Sequence, residues 1–172
     1  MNGFNVAKEI RTIEPTLPFI FLTAKSLKVD KLKGFRLGCD DFIVKPIDEE
    51  LLLARMQAII KRTQHQGNRL PHSMEYQLGA YEFDAVNQTL SFQDKPRFLT
   101  DKEAQLLHLL CEHQNRLLPR KKALQKIWDN HDEFSRKSMD VFIFRLRKYL
   151  EKDPNVQLKN VHGRGFVFAV SH

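Results

Sequence analysis

The hydrophobic positions of the chain are spaced in two different ways, and the change comes after residue 63. Before it, two short apolar runs, Phe19 to Leu22 and Phe42 to Val44, alternate with segments in which apolar residues recur at helical spacing. This alternation is typical of a parallel α/β sheet. It predicts helices over about Gly3 to Ile13, about Val29 to Leu37, and Glu49 to about Lys61.

A polar segment interrupts the pattern. Residues 64–74 are rich in Gln, His, Asn and Ser and include Gly67 and Pro71, which is typical of a linker. The chain is therefore predicted to have an α/β region over residues 1–63, a linker over residues 64–74, and a second domain over residues 75–172.

The second domain is predicted to be α+β, with strands at both ends. Its first strands are expected over Tyr76 to Phe83, Thr89 to Phe92 and Arg97 to Leu99, separated by turn residues. At its carboxyl end, two strand-like runs flank His162-Gly163-Arg164-Gly165, which predicts a β-hairpin with Arg164 at its tip.

Three helices are predicted between these strands. Thr100 and Glu103 have the spacing of a capping box, and the helix after them would bury Leu106, Leu107 and Leu110. A second helix is expected over Arg120 to Trp128. The third runs from Arg136 to Leu150.

The third helix carries two different faces. At about 100° per residue, one narrow apolar stripe contains Met139, Ile143, Leu146 and Leu150. This stripe is typical of a helix face that packs on a core. The opposite side mixes cations with apolar side chains, namely Lys137, Val141, Phe144, Arg145, Lys148 and Lys152.

The charge of the chain narrows the choice of partner. The formal net charge is +7 and the pI is about 9.5, which favours an acidic partner, either nucleic acid or an anionic membrane surface. Residues 135–165 alone hold eight cations and three acids, a net charge of +5. A membrane-surface helix is disfavoured because the apolar stripe of the third helix must pack within its own domain.

No apolar run approaches the roughly 18 residues that span a bilayer, and the amino terminus lacks a signal-peptide pattern, so we expect a cytoplasmic protein. Cys39 and Cys111 lie among apolar neighbours without metal-ligand spacing, which predicts two buried thiols. We expect no cofactor, no bound metal and no enzymatic activity.

The second domain resembles the winged helix-turn-helix domain of OmpR/PhoB-type response regulators. The matching positions follow one another at family spacing over Tyr76 to Val170. They are Leu99-Thr100-x-x-Glu103, Leu106-Leu107, Arg120, Leu124, Trp128, Ser138-Met139-Asp140-Val141, Leu146-Arg147-Lys148, Asp153-Pro154 and Val161-x-Gly163-x-Gly165-Phe166.

The resemblance implies sequence-specific binding of double-stranded DNA. The third helix would enter the major groove and Arg164 would enter the adjacent minor groove. The residues implied to face bases or phosphates are Lys137, Ser138, Val141, Phe142, Arg145, Arg147 and Lys148. Phe142 and Phe144 depart from the polar residues that relatives often carry. For Phe144, a thymine-methyl contact and packing under the hairpin or a partner subunit both remain open.

The first 63 residues resemble the second half of a receiver domain, the flavodoxin-like α/β domain of the same family. Thr23 matches the switch threonine, Phe42 the switch aromatic, and Lys45-Pro46 the active-site lysine with a proline that follows a cis bond. The acidic pair and the phospho-accepting aspartate of the family have no counterpart here. Met1-Asn2-Gly3-Phe4 matches a segment that in the family follows that aspartate, so we expect an amino-terminally truncated receiver.

Two explanations of the truncation stay open: a mis-assigned start or an excised piece, and a naturally shortened regulator that dimerises without a phosphate signal. The family's dimer face implies roles for Lys31, Asp40, Asp41 and Arg55. The implied partners are DNA and a second copy of the chain, with RNA polymerase near residues 129–134 and a sensor histidine kinase only for a full-length form. The alternative function is a truncated receiver that titrates full-length partners.

Overall fold

The chain divides into two compact units, Met1–Met74 and Glu75–His172, called here the first and second units. The computed structural model describes residues 2–24, 28–64, 74–128 and 133–171. The predicted linker therefore lies almost entirely outside the described residues.

The first unit is a two-stranded parallel sheet with helices in the alternating order that the sequence predicts. Strands β1 and β2 pair in register, with Phe21 opposite Phe42. Its elements are α1 (Gly3–Ile13), β1 (Ile20–Thr23), α2 (Lys28–Arg36), β2 (Asp41–Val44) and α3 (Glu49–Gln64).

Aromatic rings fill the space between α2 and the sheet. The Phe21 and Phe42 ring centroids are 5.7 Å apart, and Phe42 is buried. A Cβ on Gly34 would lie only 2.8 Å from a Phe42 ring carbon and 3.0 Å from a Phe21 ring carbon. A glycine at position 34 therefore lets α2 approach both rings.

The second unit combines two antiparallel sheets with three helices. One sheet has the order β3-β4-β5-β6, and the other has the order β7-β9-β8. The elements are β3 (Glu75–Leu78), β4 (Tyr81–Asp84), β5 (Thr89–Phe92), β6 (Lys95–Phe98), α4 (Asp101–Glu112), β7 (Leu117–Pro119), α5 (Arg120–Ile127), α6 (Glu133–Tyr149), β8 (Val156–Val161) and β9 (Gly165–Val170).

One strand prediction in this unit was wrong, and one strand was not predicted. The segment predicted as one strand over Tyr76 to Phe83 is a hairpin of β3 and β4, because Gly79 turns the chain with a φ of +59°. The Ala80 amide donates to Asp153 Oδ2 at 2.7 Å, which ties this turn to the segment after α6. Strand β7 was not predicted. It is three residues long and exists through pairing with β9.

The three helices surround one apolar core. Leu106, Leu107 and Leu110 of α4 are fully buried, as predicted. At the start of α4 the Thr100 amide donates to Glu103 Oε2 at 2.8 Å, which satisfies an amide that the helix leaves without an internal partner. Both Cys39 and Cys111 are buried thiols, and burial raises the pKa of Cys111.

Candidate nucleic-acid interface

Helix α6 packs on the core through the stripe that its periodicity predicts. Met139 and Leu146 are fully buried, and Ile143 and Leu150 are 4% and 1% exposed. The predicted core face is therefore confirmed. The residues outside this stripe form the remaining surface of α6.

The outer face of α6 carries cations, apolar side chains and one acid. It consists of the exposed Asp140, Phe144 and Lys148 together with the half-buried Lys137 and Val141. The Lys148 Nζ lies 5.4 Å from the centroid of the Phe144 ring, within the range of a cation–π contact. The face therefore presents cations beside an aromatic ring.

Ser138 and Phe142 do not belong to this face, and the expectation that they contact DNA was wrong. Both are fully buried. The Trp128 indole covers them: its Nε1 donates to Ser138 Oγ at 3.0 Å, and its ring lies 5.9 Å from that of Phe142. Because residues 138 and 142 are one turn apart, a single large side chain from the end of α5 shields both.

Arg145 also points away from the outer face. Its Nη2 lies 2.9 Å from Oε1 of Glu103, a carboxylate that is only 1% exposed. The Tyr149 hydroxyl donates to the same oxygen at 2.9 Å and accepts from Arg145. Burial, and then the Glu103 charge, raise the pKa of Tyr149, so its hydroxyl remains a neutral donor at neutral pH. In this structure Arg145, which was predicted to contact a base, forms an ion pair between α6 and α4.

Arg147 joins α6 to the carboxy-terminal hairpin. Its Nε donates to the Leu158 carbonyl in β8 at 2.9 Å, although much of the side chain is exposed. One guanidinium edge is therefore used to hold the hairpin against the helix. The family resemblance implies a phosphate contact for this exposed side chain.

The hairpin of β8 and β9 presents Arg164 at its exposed tip. The Arg120 amide, at the start of α5, donates to the Arg164 carbonyl at 3.1 Å, so the tip is fixed to the helical group. A Cβ on Gly165 would overlap the Leu118 carbonyl oxygen of β7 and lie 3.0 Å from the Arg120 amide nitrogen. Glycine at 165 is what allows β7 and β9 to pair beside the tip.

The acidic residue on the outer face forms an ion pair with a residue distant in sequence. Arg120 Nη2 lies 2.6 Å from Asp140 Oδ1, and the Arg120 guanidinium also lies 5.0 Å from the Phe166 ring. Because the Asp140 carboxylate is neutralised within the unit, it repels a nearby phosphate less. Sequence patterns did not reveal this role of Arg120, since its partner is twenty residues away.

Two of the receiver-like residues, Thr23 and Lys45, lie at the carboxyl edge of the two-stranded sheet. The Lys45 amide donates to the Thr23 carbonyl at 2.8 Å, which brings the ends of β1 and β2 together. The Lys45 side chain is exposed, and its bond to Pro46 is cis, as expected. Phe42 is packed inward between α2 and β1.

The residues expected on a dimer face differ in their burial and in their partners. Asp40 is 7% exposed, and its Oδ2 accepts the Phe19 amide at 2.9 Å, so its placement on an exposed face was wrong. Asp41 Oδ2 lies 2.6 Å from Arg55 Nη1 within the same chain. Lys31 is half-buried on α2.

The described part of the chain has neither a metal-binding cluster nor a membrane-spanning helix. No group of three or more His, Cys, Asp or Glu side chains there is arranged to hold a metal ion. None of its helices is long and apolar enough to cross a bilayer. Most of residues 129–134, considered for polymerase contact, lies outside the described residues.

Both units match known protein families. Residues 1–57 match the response regulator receiver domain, and residues 94–168 match the carboxy-terminal domain of transcriptional regulatory proteins. Transcriptional regulatory protein RprY of Bacteroides fragilis is 44% identical over 165 residues, which span 96% of this chain and 69% of RprY. Transcriptional regulatory protein TctD of Salmonella typhimurium is 34% identical over 97% of this chain and 71% of TctD.

Solved structures show the same fold. A mutant of RitR has a TM-score of 0.71 at 24% identity, over 99% of this chain and 75% of that chain. The DNA binding domain of CpxR from E. coli covers 58% of this chain with a TM-score of 0.52. With a receiver-like unit followed by a winged helix-turn-helix unit, this chain belongs to the OmpR/PhoB-type response regulators.

Proposed function

We propose that the protein is a sequence-specific transcription regulator that binds double-stranded DNA as a dimer. Helix α6 lies in the major groove and the β8–β9 tip contacts the adjacent minor groove. Binding, rather than catalysis, is its role. This proposal draws on the family membership and on the arrangement of charge in the second unit.

The observation that carries the proposal is the separation of the two sides of α6. The core stripe is buried, while Lys148 is exposed and Lys137 is half-buried on the outer face, and the one acid there is paired with Arg120. Arg164 adds an exposed cation at the tip of a hairpin that Arg147 fastens to α6. A helix that is cationic on its outer side, with a basic hairpin beside it, fits a duplex groove and its phosphates.

A salt series on DNA selected from a random pool tests this function. We expect Lys148→Ala and Arg164→Ala each to weaken binding and to reduce the slope of log K against log salt by about 0.9 per bound chain, or about 1.8 for a dimer, because each removes about one phosphate neutralisation per chain. Gel shifts at several salt concentrations measure the slope. Two chains per selected site are expected by sedimentation.

Lys126→Ala is the matched control, since Lys126 is an exposed cation on α5 that pairs with Glu112 and lies off the outer face. It removes the same charge and is expected to leave the slope unchanged. Equal slopes for wild type, Lys148→Ala and Arg164→Ala would contradict the proposed interface.

We further propose that this chain does not undergo aspartyl phosphorylation. Aspartyl phosphate formation needs a carboxylate nucleophile close to the lysine and hydroxyl that bind the phosphoryl oxygens. The pair Asp40 and Asp41 lies at the opposite end of β2 from Lys45, and Asp48 accepts the Leu51 amide at 3.0 Å at the start of α3. At about 3.3 Å per residue, the Asp41 backbone is about 13 Å from that of Lys45.

Incubation with acetyl phosphate and Mg²⁺, followed by intact mass measurement, tests this proposal. No gain of a phosphoryl group is expected, while an intact receiver protein in the same tube gains one. A phosphoryl group gained by the wild type on any aspartate would overturn the proposal.

A further inference from the structure

Phe144 is an exposed aromatic residue among the cations on the outer face of α6. It is 55% exposed and lies on the outer face of α6, one turn before Lys148 and one turn after Asp140. Among the described residues of the second unit, the other large hydrophobic side chains with comparable exposure are Val86 and Phe98. Neither of these is on α6.

The ring is not covered from within its own unit. The β8–β9 hairpin is held to α6 through Arg147 and Leu158, and with the hairpin in this position Phe144 remains exposed. Packing under the hairpin is therefore not its role. The Lys148 ammonium, 5.4 Å from the ring centroid, keeps a cation over the face of the ring, so both groups lie at the surface together.

We propose that Phe144 contacts the 5-methyl group of a thymine in the major groove, and so determines part of the DNA sequence that the protein prefers. This inference rests on the proposed DNA-binding function. A phenyl ring offers no hydrogen-bond donor or acceptor to a base edge. The thymine methyl is the apolar group that unmodified base pairs present in the major groove.

The surroundings of Phe144 favour this partner. Lys148 can neutralise a phosphate on the duplex that the ring approaches, and Asp140 is already paired with Arg120. The buried Phe142 and the internally paired Arg145 leave fewer groups of α6 to read base edges by hydrogen bonds. Apolar contact from Phe144, with the half-buried Val141 beside it, therefore supplies a larger share of the base recognition.

Replacement of single thymines by deoxyuridine tests the inference, because it removes only the methyl group. The site is one selected with the full chain. Within each half-site, replacing one particular thymine is expected to lower the affinity of the wild-type protein by about fourfold, which is the effect of one buried methyl. With Phe144→Ala, the thymine and uridine sites are expected to bind equally at that position. Kd is measured by fluorescence anisotropy at fixed salt.

Phe98→Ala is the matched control, because Phe98 is 57% exposed but lies on β6. It is expected to keep the wild-type fourfold preference, and Phe144→Leu is expected to keep part of it. A selected site without thymine, or the same response to every uridine in wild type and Phe144→Ala, would overturn the inference while DNA binding stands. An effect of Phe144→Ala on dimer assembly alone would assign the ring to a partner subunit. Failure to select any DNA would overturn the proposed function itself.

Discussion

Replacing Arg145 with alanine is expected to lower the free energy of unfolding of the second unit by about 3 kcal/mol. The physical reason is the Glu103 carboxylate, which is 1% exposed and has the Arg145 guanidinium as its cationic partner at 2.9 Å. Removing the arginine leaves a negative charge without its cationic partner in a place that water cannot reach. The Tyr149 hydroxyl and the Thr100 amide still bind the carboxylate, which keeps the loss near the lower end of the range for such pairs.

Urea unfolding followed by tryptophan fluorescence measures this loss. Trp128 is the single tryptophan of the chain and contacts Ser138 and Phe142 of α6, so its signal reports on the second unit. Lys148→Ala, which removes an exposed cation from the same helix, is the control and is expected to change stability by less than about 0.5 kcal/mol.

A double-mutant cycle separates the charge effect from lost packing. Glu103→Gln keeps a hydrogen-bond acceptor for the Thr100 amide but removes the charge. On that background Arg145→Ala is expected to cost at least about 1 kcal/mol less than it does in the wild type. An equal cost on both backgrounds would mean that Arg145 acts by packing alone. Well below its melting temperature, Arg145→Ala is expected to retain most of its DNA affinity.

Most of the helices and strands could be predicted from local sequence patterns. The bounds of α1 and β5 follow from apolar spacing and turn residues, since both elements are specified by neighbours in sequence. Strand β7 was missed because three residues carry no periodicity, and its existence depends on β9, almost fifty residues later. The turn at Gly79 was missed because two short alternating runs were taken as one strand, although the phase of the alternation changes between Leu78 and Tyr81.

The errors at the interface share one cause, which is contact between residues distant in sequence. A helical projection places Arg145 among cations, yet it cannot show a buried acid on another helix within reach of a long side chain. Trp128 broadens the buried side of α6 beyond the apolar stripe and covers Ser138 and Phe142. The outer face is consequently narrower than the projection suggests, and Phe144 becomes more prominent on it.

The largest effect of a single added methyl group is expected at Gly165. A Cβ there would overlap the Leu118 carbonyl oxygen, a backbone atom of β7 that pairs with β9 and has little freedom to move. Gly165→Ala is expected to destabilise the second unit by about 3 kcal/mol, the upper end of the usual cost of overpacking. It is also expected to weaken DNA binding, because separation of β7 from β9 displaces the Arg164 tip from the start of α5.

Gly163→Ala provides the comparison two residues away in the same hairpin. Gly163 has a φ of +67°, but nothing lies within 4 Å of a Cβ built on it, so only the left-handed backbone opposes the substitution. That costs about 1 kcal/mol. Urea unfolding by Trp128 fluorescence compares the two variants, and gel shifts on the selected site compare their affinities. If Gly165→Ala were no more destabilising than Gly163→Ala, close approach of β7 could not be the reason for glycine at 165. A stable Gly165→Ala protein with wild-type affinity would also show that DNA binding does not depend on the fixed position of the hairpin tip.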